Sequence, residues 1–273
     1  MNNTLLSLSR LVPEESLSIT GEWSVLICLL GPFGLFKSGA PVALRSGGRT
    51  EALISTLALR RGKRVPREVV LADVWPESDP ALSGQTLNTL VHNLHKLLGD
   101  ALRGAAPIQH VQGSYRLNLE AGVALDTACF EALAGAGDSL ATKDLPSAIV
   151  SYQKAISLYR GDLHAGDCHQ ALIERERLRA LYLTLLARLA SHYYNDKDIS
   201  TCLSLALQLL EHDPCREDAH RLVMRCHVLC GERTQAMRQY RLCEQILRAE
   251  FDVAPEPSTV ALYEKIRFDP ASI

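Results

Sequence analysis

Residues 83–99 read "SGQTLNTLVHNLHKLLG", and the reading of this stretch decides the fold. Leu87, Leu90, Val91, Leu94, Leu97 and Leu98 recur at i, i+3, i+4, i+7, i+10 and i+11, which is the apolar stripe of a helix. A second row lies about 200° round the same helix. It holds Gln85, Asn88, Thr89, His92, Asn93, His95 and Lys96, that is, amides, a hydroxyl and imidazoles with one cation and no acid. Such a row is either a plain solvated face or a set of hydrogen-bonding groups turned toward a partner. The segments on either side decide between the two.

Upstream, "VLICLLGPFGLF" (25–36) is an apolar run broken at Gly31-Pro32, and "APVALRS" (40–46) is a second short strand, so a small antiparallel sheet is expected. "GGRTEALISTLALRRGKRV" (47–65) gives a short amphipathic helix with a basic end, stopped at Gly62. "PREVVLADVW" (66–75) begins with a proline suited to a first helical turn and turns Val69, Val70 and Val74 inward. "WPESDPALSG" then breaks the chain, with Asp79 as a cap and Pro80 at the start of the long helix. Run from Pro80 to Leu98, that helix is about 28 Å long. Downstream, "IQHVQGSYRLNL" (108–119) reads as a hairpin around Gln112-Gly113-Ser114. Strands, three helices and a hairpin are the order of a winged helix, whose third helix enters a major groove and whose hairpin is the wing. The same architecture also serves as a pure protein-binding module.

Helix pairs dominate from Asp126 onward. Ala148 and Tyr152, Cys202 and Ala206, and Ala236 and Tyr240 stand at i, i+4 in three amphipathic segments, small residues recurring where paired helices must approach. Cys202 and Ala236 are 34 positions apart, the tetratricopeptide period. Ala148 and Cys202 are 54 apart, and the interval contains the Gly/Asp-rich break "YRGDLHAGDCHQ". An α-solenoid of about three helix pairs is expected, closed by "FDVAPEPSTVALYEKIR" (251–267). The domain reading is a flexible extension at 1–23, a winged helix at 24–120 and the helical repeat at 121–273.

The totals suit two domains of ordinary size, or one large one. The 273 residues are 47% hydrophobic and carry 29 Lys+Arg against 31 Asp+Glu, a net charge of −2. The charge is unevenly placed: residues 1–120 hold 12 bases and 10 acids, and the remainder 17 and 21. A mildly basic unit joined to a mildly acidic one is compatible with nucleic-acid binding by the first. No apolar run reaches the length of a membrane span. The opening "MNNTLLSLSRLVPEES" lacks a basic segment before its leucines, so no secretory signal is expected. Eight cysteines without a dense disulfide spacing read as reduced thiols of a cytoplasmic protein.

Catalytic signatures are missing. "GKR" at 62–64 lacks the rest of a P-loop, and neither GxSxG nor HExxH occurs. The stretch before Trp23 is too short for a phosphoacceptor domain. His212, Cys215, Cys226, His227 and Cys230 form a tempting metal set, but C-x3-C is not a zinc-knuckle spacing, and cysteine is a common small core residue. The "ERER" at 174–177 reads as a solvated, ion-paired helix face. No enzyme, no cofactor and no metal are expected.

Taken together, the two halves resemble the Streptomyces antibiotic regulatory protein family, which joins a response-regulator-type winged helix to a tetratricopeptide-like bacterial transcriptional activator domain. The stretches that carry the resemblance include "LLGPFGLF", "TEALISTLALRRGKRVPREVVLADVWPESDP", "TLVHNLHKLLG", "VQGSYRLNL", "LDTACFEAL", "AISLYRGDLHAG", "LLEHDPCREDAHRLVMRCH" and "AMRQYRLCEQILRAEFDVAPEPSTVALYEKIR". The resemblance runs from about residue 24 to the end. It implies a DNA-binding transcriptional activator that binds promoter repeats in double-stranded DNA, contacts RNA polymerase and dimerises at least on DNA. Gln85, Asn88, Thr89, His92 and Asn93 are then expected to read bases. Arg49, Arg64, Arg67, His95, Lys96, Gln112, Ser114 and Arg116 are expected on phosphates or in the wing. Asn suits adenine N6/N7, Thr a thymine methyl and His a purine N7. The chain departs from the family where arginines usually stand: it has Asn88, Asn93 and His95 on the third helix, and Gly48 and Glu51 at the start of the first. Base reading with reduced phosphate attraction is one consequence. The alternative is a protein-interaction scaffold whose winged helix no longer binds DNA.

Overall fold

The computed structural model describes residues 23–76, 80–166, 168–270 and 273, the side chains of 80–83 excepted. The expected Asp79 cap and the 1–23 extension, Trp23 apart, lie outside the described residues. Strand β1 (Val25–Cys28) is buried along its whole length and pairs antiparallel with β2 (Gly34–Lys37), which pairs in turn with β3 (Ala40–Pro41). Three helices follow: α1 (Arg49–Leu59), α2 (Arg67–Val74) and α3 (Pro80–Leu98). The chain then makes the hairpin β5 (Ile108–Val111) and β6 (Ser114–Leu117), and β4 (Val65–Pro66), between α1 and α2, joins it as a third strand. Gln112 and Gly113 both have positive φ, 50° and 74°, as a two-residue type I′ turn requires. Ser114 therefore opens β6, opposite Val111, rather than sitting in the turn.

The first sheet is mixed rather than antiparallel. After the wing, β7 (Val123–Leu125) returns to lie parallel to β1, with Val25 opposite Val123 and Ile27 opposite Leu125. Three residues carry no measurable period, and this pairing spans about the whole winged helix, so pattern reading misses it. The next residue, Asp126, starts α4 (Asp126–Leu140) and is buried. Its carboxylate accepts the backbone N–H groups of Leu29 and Leu30 at 2.9 Å, and Arg160 stands 3.8 Å away. Those N–H groups follow the end of β1, and burial would leave them costly without an acceptor.

Helix α4 packs on α5 (Leu145–Leu158), and Gly137 lets the ring of Tyr152 come against the α4 backbone. Beyond α5, the Gly/Asp-rich break docks on the β1 end: Gly31 N–H bonds Asp162 O at 3.1 Å, and His164 N–H bonds Leu29 O at 2.7 Å. The 27-residue α6 (His169–Asn195) follows. Break and long helix together account for the 54-residue spacing. Then come α7 (Ile199–His212), α8 (Glu217–Leu229), α9 (Arg233–Phe251) and α10 (Pro257–Phe268), each packed on the next. All six of these positions are buried: Ala148, Tyr152, Cys202, Ala206, Ala236 and Tyr240. Asp144 and Asp198 cap α5 and α7 by accepting from the N–H groups of Ser147 and Thr201. The architecture is a winged helix followed by a tetratricopeptide-like α-solenoid.

The chain divides into two compact units inside α6, the first ending at Arg179 and the second beginning at Ala180. The sequence-read border at 120/121 lies within the first unit, two residues before β7. In the first unit, Leu53, Leu57, Val70, Leu87, Leu94, Ile108, Tyr115 and Leu117 fill the space between helices and wing. In the second, Met224, Ala236, Tyr240, Leu262 and Ile266 form one buried cluster.

Candidate nucleic-acid interface

The two stripes of α3 separate as their period demands. Leu87, Leu94 and Leu98 are buried, and Leu90, Val91 and Leu97 are half-buried. Gln85, Asn88, Thr89, His92, Asn93, His95 and Lys96 are all exposed. No carboxylate interrupts the row. The wing stands beside it. Asn88, Val91, His92 and His95 from α3 and Ile108, His110 and Tyr115 from the hairpin line one open cleft of about 260 Å³.

Tyr115 is the hub of that cleft. It is only 1% exposed, and His110 stacks on its ring at 4.5 Å. Its hydroxyl accepts a hydrogen bond from the Arg67 guanidinium at 3.2 Å and donates one to Asn88 Oδ1 at 3.2 Å. Arg67 also gives its backbone N–H to Gly113 O in the wing turn, at 3.0 Å. Gly84 permits this arrangement, because a methyl there would overlap the guanidinium. Helix α2, helix α3 and the wing thus meet through one polar chain.

The other expected contacts divide into anchored and free. Thr89 spends its hydroxyl proton on Gln85 O at 3.1 Å, a back-bond within the helix. The ring of His95 turns to Gly104 O, 3.2 Å from Nε2, beside Gly99. Arg49 donates to Val74 O at the end of α2 and lies over Trp75. Arg116 bonds Gln109 at 2.7 Å and stands 3.8 Å from Glu120. Arg60 pairs with Asp73, and Arg61 with Glu131 and Glu174. Among the described residues Lys63, Arg64 and Lys96 are exposed cations with no ion-pair partner. Gln112 is exposed at the tip of the wing, and Ser114 is half-buried beside it. Glu51, where the resemblance leads one to expect a base, points inward. It is buried, takes the N–H of Gly47 at 3.0 Å and pairs with His164 at 2.7 Å. It is an internal tie of α1, not an acid on the helix row.

Tyr115 and His110 were not among the expected contact residues. A wing tyrosine and an α3 asparagine are 27 positions apart, and nothing in either segment signals that they meet. The cysteine and histidine set does not converge. His212 packs edge-on to Tyr182, His227 pairs with Glu232, and Cys226 meets Cys202 at 3.5 Å. Among the described residues no group of three or more such side chains is placed to hold a metal ion. Among them, too, no helix is long and apolar enough to cross a membrane.

A winged helix followed by a helical repeat defines a class, and comparison with known proteins gives it a family. The bacterial transcriptional activator domain matches residues 125–267. The transcriptional regulatory protein MoaR1 of Mycobacterium tuberculosis is 25% identical over 255 residues, 92% of this chain and 81% of that protein. The transcriptional regulator RedD of Streptomyces coelicolor is 25% identical over 241 residues, 85% of this chain and 67% of that one. The regulatory protein AfsR of Streptomyces griseus matches 93% of this chain, which spans only 26% of AfsR. Among solved structures, Mycobacterium tuberculosis EmbR in complex with a low-affinity phosphopeptide superposes with a TM-score of 0.73 at 23% identity; the match covers 90% of this chain and 65% of that one. The chain belongs to the bacterial transcriptional activator domain family and, within it, to the Streptomyces antibiotic regulatory proteins. It is a transcriptional regulator.

Proposed function

We propose that the chain is a sequence-specific DNA-binding activator whose α3 enters the major groove of double-stranded DNA. Gln85, Asn88, Thr89, His92 and Asn93 read base edges. Lys96, Arg64, Gln112, Ser114 and Arg116 serve phosphates and the wing. Arg49, Arg67 and His95, each tied to a protein group, act mainly by holding that surface in place. The helical repeat dimerises the protein on promoter repeats and contacts RNA polymerase in the cytoplasm. The observation that carries this reading is the exposed, acid-free polar row of α3, set beside a wing and backed by a buried apolar stripe. An amide- and imidazole-rich face can specify sequence while neutralising little phosphate charge. Capture of genomic fragments on the purified full chain, followed by sequencing, tests it. A few promoter segments sharing a repeated motif are expected. A flat profile at low salt would favour the scaffold reading, in which the winged helix is a silent partner.

A further inference from the structure

The geometry points to Tyr115, held by Arg67, as the positioning residue that fixes the amide sense of Asn88 and makes it select guanine. This rests on the reading that α3 faces DNA. A guanidinium can only donate hydrogen bonds, and a phenol has a single proton to give. Arg67 donates to the Tyr115 hydroxyl at 3.2 Å, so it cannot take the phenol proton. The phenol proton must therefore go to the other neighbour, the Asn88 amide at 3.2 Å. Only the amide oxygen can take it. A flipped amide would leave the phenol proton without an acceptor, and Tyr115, at 1% exposure, has little water to take it. The amide sense, usually ambiguous by shape alone, is settled here by chemistry.

The oxygen of Asn88 is thus turned to the wing, and Nδ2 with its two protons is left for the exposed side of α3. A donor seeks acceptors. In the major groove guanine offers two, O6 and N7. Adenine offers N7 beside the N6 amino group, which would meet the Asn88 amide donor to donor. The usual pairing of asparagine with adenine needs its oxygen facing the base as well as its nitrogen. The locked amide works against that pairing, so the adenine preference expected from residue type alone gives way to guanine.

The test is selection from randomised duplex DNA with the full chain, comparing the parent with Tyr115→Phe, Asn88→Asp and Asn88→Ala. Tyr115→Phe keeps the ring and the His110 stack and removes the hydroxyl, and with it the bond to Asn88 and the acceptor for Arg67. The parent should enrich guanine over adenine at one position by about tenfold, within the range of a well-made base contact. Tyr115→Phe should lose most of that ratio. Asn88→Asp leaves an acceptor for Tyr115 but no donor for the base. On this exposed site it should fold normally and abolish the guanine preference, so the result does not depend on Tyr115→Phe being stable. An adenine preference in the parent, or a preference indifferent to both Tyr115→Phe and Asn88→Asp, overturns the inference. So does sequence selection that Asn88→Ala leaves intact at every position, although DNA binding itself would then stand. Failure of the parent to select any sequence overturns the DNA reading and this inference together.

Discussion

Asp126 Oδ1 accepts the backbone N–H of Leu29 at 2.9 Å, across 97 residues of chain. The carboxylate is buried, and burial raises its pKa from 3.8 to about 6 against the pull of the Leu29 and Leu30 N–H groups and Arg160. A carboxyl whose folded pKa lies above its unfolded value stabilises the fold most when protonated. Its contribution is complete below about pH 4 and is lost as pH rises through about 6. Asp144 and Asp198 act in the opposite sense. Their pKa values are lowered by hydrogen bonds from Ser147 and Thr201, so their contribution is lost only in stronger acid. Chemical unfolding from pH 7 to pH 5 should therefore show the first unit gaining stability. Asp126→Asn should flatten that gain and lower stability by roughly 1–3 kcal/mol, because one amide oxygen replaces two acceptors. A parent and variant with parallel pH curves would contradict the assignment.

The same tie decides where the chain can be cut. A fragment of residues 24–120 keeps every element of the winged helix but loses β7, the parallel partner of β1, and Asp126 with it. Leu29 and Leu30 would be left with unsatisfied N–H groups beside an uncovered strand. That fragment should unfold well below the full chain or lack a cooperative transition, whereas one ending at Arg179 should melt sharply. Calorimetry of the two fragments separates the cases. A sharp transition in the shorter one would show that β7 is dispensable.

What the sequence displays and what it hides follow from range. The stripe of Leu87, Leu94 and Leu98 repeats over three turns of a nineteen-residue helix, so its burial and the exposure of the opposite row are legible in advance. The 34-residue return from Cys202 to Ala236 is legible for the same reason, since both positions are wholly buried. The strand Val123–Leu125 is too short to show a period. The roles of the cations are hidden more deeply. In the basic run 60–67 every arginine looks free, yet Arg60, Arg61 and Arg67 all meet partners that lie elsewhere in the sequence. Gly84 lies inside α3, and the Arg67 guanidinium lying against it gives the glycine a purpose.

Gly84→Ala should separate stability from recognition. Alanine favours a helix over glycine by roughly 1 kcal/mol. The atom in its way is the far end of the flexible Arg67 side chain, which can swing aside. The melting temperature should hold or rise. The Arg67–Tyr115 bond should be lost, and base selectivity should loosen without loss of affinity for unselected DNA. A destabilised protein with unchanged selectivity would mean that Arg67 does not depend on Gly84.

The two faces of α3 should respond to alanine in opposite ways. Leu94 is 2% exposed, and Leu94→Ala should cost about 2–5 kcal/mol of stability through lost burial and the cavity left behind. Asn88→Ala, His92→Ala and Asn93→Ala should leave folding nearly untouched, each weakening specific binding by roughly 1–3 kcal/mol where it makes a good base contact. Denaturation and anisotropy titrations on a selected site measure both. Negligible binding effects of all three polar changes would remove α3 from the interface.

Salt dependence is the sharpest test of the uncharged row, because phosphate contacts carry it and base contacts hardly do. Near α3 and the wing the cations are largely committed: Arg49 to Val74 O, Arg67 to Tyr115, and Arg116 to Gln109. Lys96, Lys63 and Arg64 remain without ion-pair partners among the described residues. The slope of log K against log salt should therefore be shallower than for an arginine-bearing version of the same helix, by about 0.9 per phosphate contact. Asn93→Arg is the change to make. Position 93 is exposed, whereas replacing His95 would also remove its bond to Gly104 O. The variant should bind all DNA more tightly, steepen the slope by about 0.9 and narrow the gap between selected and unselected sites. Anisotropy titrations of parent and variant at several salt concentrations, on a selected and a scrambled duplex, give slope and selectivity together. A steeper slope with selectivity unchanged would place residue 93 over the backbone rather than over a base. An unchanged slope would put it outside the DNA contact, leaving its side of α3 as ordinary solvated surface.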